Sequence, residues 1–534
     1  MTSGHNREYV TLYIPSYNRK LSVYFRSSIA EALRTAGITL ETPCGGHGLC
    51  GGCLIKIIHG EAEILDSDRE LIPEELLNEG YRLACRKRIL NNDITIDVPI
   101  TKRKINLQAI PVRIKGKYGF AVDLGTTTIA VSLVNIDEGI EIGSLSVLNP
   151  QTAYGTDVIT RATVIMEDPD ALNILKKIVI ETITFAFKKL LQECRVGEED
   201  IVRISISGNS IMEHIFLGYS PVPLTVSPFH LSESIPGVMS AQKAGFFNFK
   251  NASVNVFPMI GANAGGDTVA GIFYLDMIDM TEPAILIDIG TNVEMVLAHD
   301  GELYATSSPA GPAFEGGEIT FGMRAEEGAI ESVEIQDFVL RFRVKGGGKP
   351  RGICGSGLIS LVSELLKFGV IDRTGRIKNR DEIPDNLALR VQQGGRGNIF
   401  TLHRDTKVSL YITQNDVRQL QLAKSAIRAG VEILLKKAGM NSGDIRNVYM
   451  AGAFGVAIDE DAIFRIGMLP YGFRNKLIQA GDTSLGGAKR IILDENAESK
   501  LKEILDRTKY IELSKEKDFE MEFIKYMDFM EEKK

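Results

Sequence analysis

The sequence predicts a multidomain α/β protein, with a small mixed-sheet unit ahead of a larger unit made of two related halves. Three observations predict this. Three cysteines crowd a glycine-rich loop, TPCGGHGLCGGC, and a fourth follows at Cys85. A D-x-G-T turn between apolar strands occurs twice, at Asp123 and Asp288. The chain has 534 residues, too many for a single hydrophobic core.

Composition narrows the class. Hydrophobic residues make up 44% and charged residues 24%, as in ordinary globular proteins. A net charge of −8 argues against a general nucleic-acid surface. No run of 18 apolar residues exists, so no membrane span is expected. The first ten residues, MTSGHNREYV, lack the apolar core of a signal peptide. A cytoplasmic location follows as the expectation, and there disulfides are rare. Six cysteines in so long a chain do not make a disulfide framework, and clustering of four favours a metal site.

Residues 1–100 form the first expected unit. YVTLYIP and KLSVYF alternate as a strand pair, and SSIAEALRTAG reads as a helix stopped at Gly37. After the cysteine loop come a strand in CLIKIIHG, a helical stretch near Asp68–Leu77, YRLACRKRIL, and a last strand in ITIDVPI. That order is the order of a β-grasp fold. The spacing Cys44-x5-Cys50-x2-Cys53, then Cys85, suits a [2Fe–2S] cluster, in which each iron takes two thiolates. Plant-type ferredoxins have x4 in the first gap, and the x5 form resembles the adrenodoxin-like branch. The loop glycines let the backbone bend closely round a cluster and aim N–H groups at its sulfurs. A zinc site is the alternative that Cys50-x2-Cys53 alone permits, although zinc more often uses two such knuckles. Residues 101–116 are basic and read as a linker.

The two halves follow, at 117–280 and 281–534. In KYGFAVDLGTTTIAVSLVN a strand ends at Asp123, turns through Gly125, Thr126 and Thr127, and returns; AILIDIGTNVEMVLA repeats the device with Asp288, Gly290, Thr291 and Asn292. The pattern is that of a phosphate clamp. Glycine permits close backbone approach, amides and threonine hydroxyls donate to phosphoryl oxygens, and the aspartate holds Mg²⁺ through water. A third segment, SGDIRNVYMAGAFG, runs a strand into Gly452 and Gly455, a suitable wall for adenosine. Before it, Val417, Leu420, Ile427, Val431 and Leu434 share a helix face, with a capping box at Thr413 and Asp416. This ordered trio resembles the acetate and sugar kinase, heat-shock chaperone and actin superfamily. The resemblance implies two ribonuclease-H-like lobes with ATP between them.

Further candidates lie in loops. Gly208 and Asn209 stand between a strand and a helix, and Gly355 begins another helix as a potential anion site. Asp267 opens a third. Glu294, just inside the second hairpin, is a candidate to orient an attacking water; with Asp123 and Asp288 it completes the expected catalytic set. Cys194 and Cys354 read as small packed residues.

The whole chain resembles the reductive activators of corrinoid proteins, including those of corrinoid iron–sulfur protein and of O-demethylase systems. SGNSIMEHIFLG, SSPAGPAFEGGEI, ITQNDVRQLQLAKSAIRAG and YMAGAFG carry the likeness beyond the two hairpins. The short segment after the iron–sulfur unit departs from relatives with a separate linker domain. The resemblance implies an ATP-hydrolysing activase that returns cobalt from Co(II) to Co(I) in a corrinoid partner, using a [2Fe–2S] cluster, ATP and Mg²⁺. It also implies an upstream low-potential electron donor, and superfamily members often form homodimers. The alternatives are an activator of another low-potential enzyme, such as a 2-hydroxyacyl-CoA dehydratase, and a small-molecule kinase with a redox-sensing domain, for which Asp267 would be the base. Ser307 or Ser308, in the small-residue loop 306–317, is a candidate to reach the corrinoid.

Overall fold

The computed structural model describes residues 9–529, except 16–18, 26, 36–52, 61–62, 66–67, 70–71, 73, 90–93, 98–105, 108–115, 156, 228, 230, 232–236, 384, 405–408 and 453–458. The N-terminal unit is a five-stranded sheet. Its strands are β1 (Tyr9–Ile14), β2 (Arg19–Tyr24), β3 (Leu54–His59), β4 (Tyr81–Leu83) and β5 (Ile94–Asp97), in the order β2-β1-β5-β3-β4. β1 and β5 run parallel while the other neighbours are antiparallel, and the helix Ile29–Thr35 packs Ile29 and Leu33 against Leu12, Ile55 and Ile96. This is the mixed sheet and single main helix expected of the β-grasp order. Part of the expected linker joins a sheet: β6 (Asn106–Leu107) pairs with β9 (Ile140–Leu148) of the next unit.

The large unit contains two sheets with the same plan. In the first, β7 (Tyr118–Leu124), β8 (Thr128–Asn135) and β9 form an antiparallel meander. β10 (Ile201–Gly208) and then β12 (Ser253–Val256) add parallel beyond β7, and β11 (Val238–Ser240) closes the edge. In the second sheet the meander is β13 (Ala284–Ile289), β14 (Val293–His299) and β15 (Glu302–Ser308). There β22 (Asn447–Gly452) and β23 (Leu477–Gly481) add parallel beyond β13, with β24 (Thr508–Tyr510) at the far edge. The repeat therefore covers five strands, not just the D-x-G-T hairpin. Even the register matches: Gly208 faces Leu124, and Gly452 faces Ile289. Both glycines lie beside the residue that follows the hairpin aspartate.

Hydrophobic alternation cannot reveal these strands individually, because most of their residues are buried on both faces. Phe120 and Phe187 stack at 3.9 Å in the first lobe's core, and Val417, Leu420, Ile427, Val431 and Leu434 of the helix Gln414–Lys437 fill the second. The capping box at Thr413 and Asp416 forms as the sequence suggests. Asp416 also accepts from the Thr320 amide and hydroxyl, at 2.9 and 3.0 Å.

Two helices pass between the sheets. Gly266–Tyr274 carries the chain from β12 to β13. Thr483–Leu493 follows β23 in the second lobe, yet its body is fastened to the first: Arg203 donates to the Ile492 carbonyl at 2.6 Å, and Lys489 pairs with Glu141 at 3.0 Å. Glycine brings the two helices together. A Cβ on Gly487 would sit 2.3 Å from the Ala270 carbonyl oxygen, and one on Gly486 would sit 2.8 Å from the Tyr274 ring. Gly487→Ala is therefore expected to push the helices apart and cost about 1–3 kcal/mol, as overpacking does. A urea-unfolding midpoint equal to wild type would contradict this.

Candidate functional site

The carboxyl ends of β7 and β13 face each other, and five acidic side chains collect between them. Asp123 and Asp288 come from these strands, Glu294 from β14, Asp267 from the first turn of the helix Gly266–Tyr274, and Asp482 from the N-cap of Thr483–Leu493. Asp288 and Glu294 are direct cross-strand neighbours. Desolvation pushes all five pKa values up, and repulsion adds to it at Asp123, Asp288 and Glu294. Burial is the larger cause for each. For Asp123 the neighbouring charges of Asp482, Asp267 and Asp288 add, and its carboxyl lies well above the usual range. Asp267 is raised to about 6, and Asp288 to about 7 with help from Asp267 and Asp482. Glu294 is also held well up, by burial and then by Asp267 and Asp288. The Glu294 carboxyl therefore holds its proton more tightly than an ordinary glutamate, and positive charge in the cleft would favour its ionised form.

Oxygen ligands in this density suit a hard divalent cation. Among the described residues no group of three such side chains is placed to hold a metal ion directly, so a Mg²⁺ here would be held through its water shell, with Asp123 and Asp288 the side chains that would hold that shell. A bound Mg²⁺ would supply positive charge to phosphoryl oxygens. The chain's own contribution is to fix the carboxylates, and hydroxyls do this. Ser484 donates to Asp123 at 2.6 Å and Thr483 donates to Asp288 at 3.1 Å.

The first turn is braced from behind. The Asn149 amide donates to the Gly125 carbonyl at 3.0 Å, and Asn209 donates to the Thr126 hydroxyl at 3.1 Å while capping its own helix, Ser210–Leu217. Arg161 is fully buried and donates to the Thr126 carbonyl and, at 3.0 Å, to the Gly155 carbonyl. Desolvation lowers its pKa to about 10, so the guanidinium stays charged. Arg324, from the second half, reaches Thr128 across the cleft at 3.4 Å. Gly125 is required by space, since a Cβ there would lie 2.4 Å from the Thr128 carbonyl oxygen. Thr127 supports the turn through its carbonyl, which accepts from Asn149 N at 2.9 Å.

The second turn differs. The Thr291 hydroxyl donates to Glu315 at 2.8 Å, and the Gly290 amide donates to the Asn292 carbonyl at 3.0 Å. Gly452 has φ +85°, and a Cβ there would fall 2.4 Å from an Asp288 carboxylate oxygen. Its evident duty is to admit that carboxylate, a closer link to the metal end than the adenosine wall expected from the sequence. Gly455, expected beside it, lies outside the described residues. Gly208 packs on the Leu124 carbonyl, where a Cβ would lie at 2.9 Å. Gly355 is buried against the Phe314 carbonyl, and Ser356 gives its hydroxyl to the Glu331 carbonyl at 3.0 Å. That helix start serves close packing rather than an open anion site.

The loop after the second hairpin needs a correction. Ser308 is fully buried and donates to the Ala426 carbonyl at 2.9 Å, so it has no surface to offer a partner. Ser307 donates to Glu294 at 3.1 Å and faces the cleft.

In the N-terminal unit, Cys44 and Cys50 lie outside the described residues. Cys53 and Cys85 approach to 3.1 Å between sulfurs. Two ligands of one tetrahedral metal with bonds of ~2.3 Å are about 3.8 Å apart, so a slight opening lets both bind one iron. The turn that carries Cys85 is well held. Buried Asp68 pairs with Lys87 and accepts from the Leu83 amide at 3.1 Å and the Leu65 amide at 2.8 Å, while Ala84 N donates to the Cys53 carbonyl at 2.9 Å. The pair therefore fits half of a cluster site.

Sequence reasoning missed Thr483, Ser484, Asp482, Arg161, Arg324 and Glu315. Only one of these had a local signal. GDTSLGG combines an N-cap aspartate with a glycine pair, which marks a helix start meant for close packing.

Comparison with known proteins accords with this division. Residues 18–90 match the 2Fe-2S iron-sulfur cluster binding domain, 118–280 the RACo middle region, and 282–534 the C-terminal domain of RACo, the ASKHA domain. The chain is 30% identical to the corrinoid activation enzyme RamQ of Eubacterium limosum over 421 residues, covering 76% of this chain and 70% of that one. It is 27% identical to the [Co(II) methylated amine-specific corrinoid protein] reductase of Methanosarcina barkeri, covering 74% and 73%. A solved reductive activator for corrinoid, iron–sulfur protein superposes with a TM-score of 0.70 at 27% identity, over 97% of this chain and 98% of that one.

The acidic cleft makes stability depend on pH. Because these carboxyls hold protons in the folded chain that the unfolded chain releases, the cleft's contribution to stability is greatest at low pH and falls from about pH 4 to about pH 7 as Asp267 and Asp288 ionise. In Mg²⁺-free buffer, Asp288→Asn should raise the thermal midpoint at pH 8 by roughly 1 °C, the equivalent of about 1 kcal/mol at this chain length. A lower midpoint for this variant would show that repulsion in the cleft is not a net cost.

Proposed function

Starting from the chain's membership of the family of reductive activators of corrinoid proteins, we propose that it uses ATP to drive one electron from a [2Fe–2S] cluster onto the cobalt of a corrinoid protein, returning Co(II) to Co(I). The observation that carries this reading is the union, in one chain, of a paired-thiol site in an iron–sulfur domain with a two-lobed cleft lined by five carboxyl groups. The first is an electron inlet and the second is built for a metal–triphosphate.

The electron step is balanced: the reduced cluster loses one electron and cobalt gains it, with no proton or group transferred. A [2Fe–2S] centre of plant type lies at about −400 mV, and each 100 mV uphill costs about 2.3 kcal/mol per electron. Nucleotide binding covers such a gap only if it favours one arrangement of the lobes over another. Asp123 and Asp288 sit on opposite lobes, so a single Mg–ATP that engages both draws the lobes together. The positive charge of a bound metal would favour the ionised form of Glu294, which would then accept a hydrogen bond from the attacking water. An upstream low-potential donor reloads the cluster, and the cytoplasm is the setting in which all the partners meet. The kinase alternative needs an aspartate base facing a substrate pocket. Asp267 instead accepts from the Thr268 amide of its own helix at 2.7 Å.

The test mixes the protein, a low-potential reductant and a Co(II) corrinoid protein, with and without Mg-ATP. The Co(I) absorption should appear only with ATP, and Asp123→Ala or Asp288→Ala should slow it by about 10²-fold or more. Cys85→Ser should lower the iron and sulfide content and abolish reduction with or without ATP. Cobalt reduction indifferent to ATP would overturn the energised part of the proposal.

A further inference from the structure

Thr483 and Ser484 are neighbours in the chain, yet their hydroxyls reach aspartates on different sheets. Ser484 donates to Asp123 at 2.6 Å and Thr483 to Asp288 at 3.1 Å. Consecutive Cα atoms are about 3.8 Å apart, so the separation of the two carboxylates is set by one peptide unit. Both hydroxyl residues are buried, at 0% and 6% exposure. Ser484 is fixed in turn by Ser207, whose hydroxyl lies 2.8 Å from it and which stands beside Asp123 in the β10–β7 register. The helix body is fastened to the first lobe by Lys489–Glu141 and Arg203–Ile492, so the Thr483 hydroxyl is a cross-lobe bond reaching Asp288.

We propose that Thr483 and Ser484 are positioning residues that act as one spacer, holding the aspartates of the two hairpins at the separation a metal–triphosphate requires. The inference rests on the ATP-binding reading above. It explains the choice of hydroxyls. They orient the carboxylates without neutralising them, which a lysine at either place would do, and so leave the charge that attracts the cation. It also explains why a helix that follows the second sheet is bolted to the first, since a spacer must be rigid against one of the two parts it spaces.

The experiment measures binding of a non-hydrolysable ATP analogue with Mg²⁺ by calorimetry, on the full chain. The variants are Thr483→Val, Ser484→Ala, their double, and the hydroxyl-keeping Thr483→Ser and Ser484→Thr. Each hydroxyl loss should weaken binding about tenfold, the scale of a hydrogen bond to a charged group. The double variant should be little worse than either single one, because a spacer broken at one end is already broken. Thr483→Ser and Ser484→Thr should restore binding to within about threefold of wild type. Hydrogen exchange adds a second readout. Nucleotide should protect both hairpins in the wild type, and in Thr483→Val its protection of 286–293 should be lost before that of 120–128. Single losses that multiply to about a hundredfold in the double variant overturn the spacer and leave the nucleotide site standing. So do single variants that bind like wild type. A wild-type chain that binds no Mg-nucleotide overturns the ATP reading and the spacer with it.

Discussion

Repulsion among Asp123, Asp267, Asp288, Glu294 and Asp482 is the constraint on which the cleft depends. Five carboxyl groups crowded into one cleft, four of them only partly exposed, are unfavourable unless they are protonated, hydrogen-bonded or met by a cation. The structure supplies hydroxyl donors from Thr483, Ser484 and Ser307, and the Leu485 amide, which donates to Asp482 at 2.8 Å. None of these carries a charge. The remaining repulsion is what a divalent cation would offset under the proposed function. The same logic places the helix Thr483–Leu493 with its positive N-terminal end toward the carboxylates.

The duplication is topological but not electrostatic. Both lobes use a meander with two parallel strands beyond it, and both put a glycine opposite the residue after the aspartate. The turns then diverge. Behind the first stands the buried Arg161 guanidinium, donating to the Thr126 carbonyl, and in front of it Arg324 reaches Thr128. Beside the second stand Glu315 and Glu294. One hairpin thus lies in a positive environment and the other in a negative one. Under the proposed function, these two copies of one device would serve opposite ends of a metal–triphosphate because only their backbones were kept alike.

How much of this was legible in the sequence follows from how local each signal is. The capping box at Thr413 and Asp416 lies within one turn of helix, and it formed as read. The two hairpins were legible because each is a contiguous strand–turn–strand. Cys53 and Cys85 were legible from residue type and spacing, and their sulfurs do meet. The Ser484–Asp123 bond spans 361 residues of chain and the Thr483–Asp288 bond 195, so no window of sequence contains either pair. Gly355 misled for a related reason. A glycine at a helix start reads as room for an anion, but what fills the room is decided by Phe314, elsewhere in the chain. Ser308 looked available because small residues and proline surround it in sequence, whereas in space it faces the backbone of the helix Gln414–Lys437.

The connection between the iron–sulfur unit and the lobes completes the physical picture. β6, from the segment between the units, pairs with β9 at the edge of the first sheet, so the small unit is tethered to the lobe that also holds the Thr483 helix. An exposed ion pair, Arg19–Glu181 at 2.7 Å, adds a contact to the same lobe, and exposed pairs of this kind contribute little. Covalent tethering keeps the iron–sulfur unit near the cleft at a high effective concentration without demanding a strong fixed interface. The first lobe is therefore the frame of the molecule: it carries the joint to the iron–sulfur unit, the first D-x-G-T turn, and the body of the helix that reaches Asp288. Under the proposed function, nucleotide would act by moving the second lobe relative to that frame, with Asp288 as the side chain that would transmit the movement.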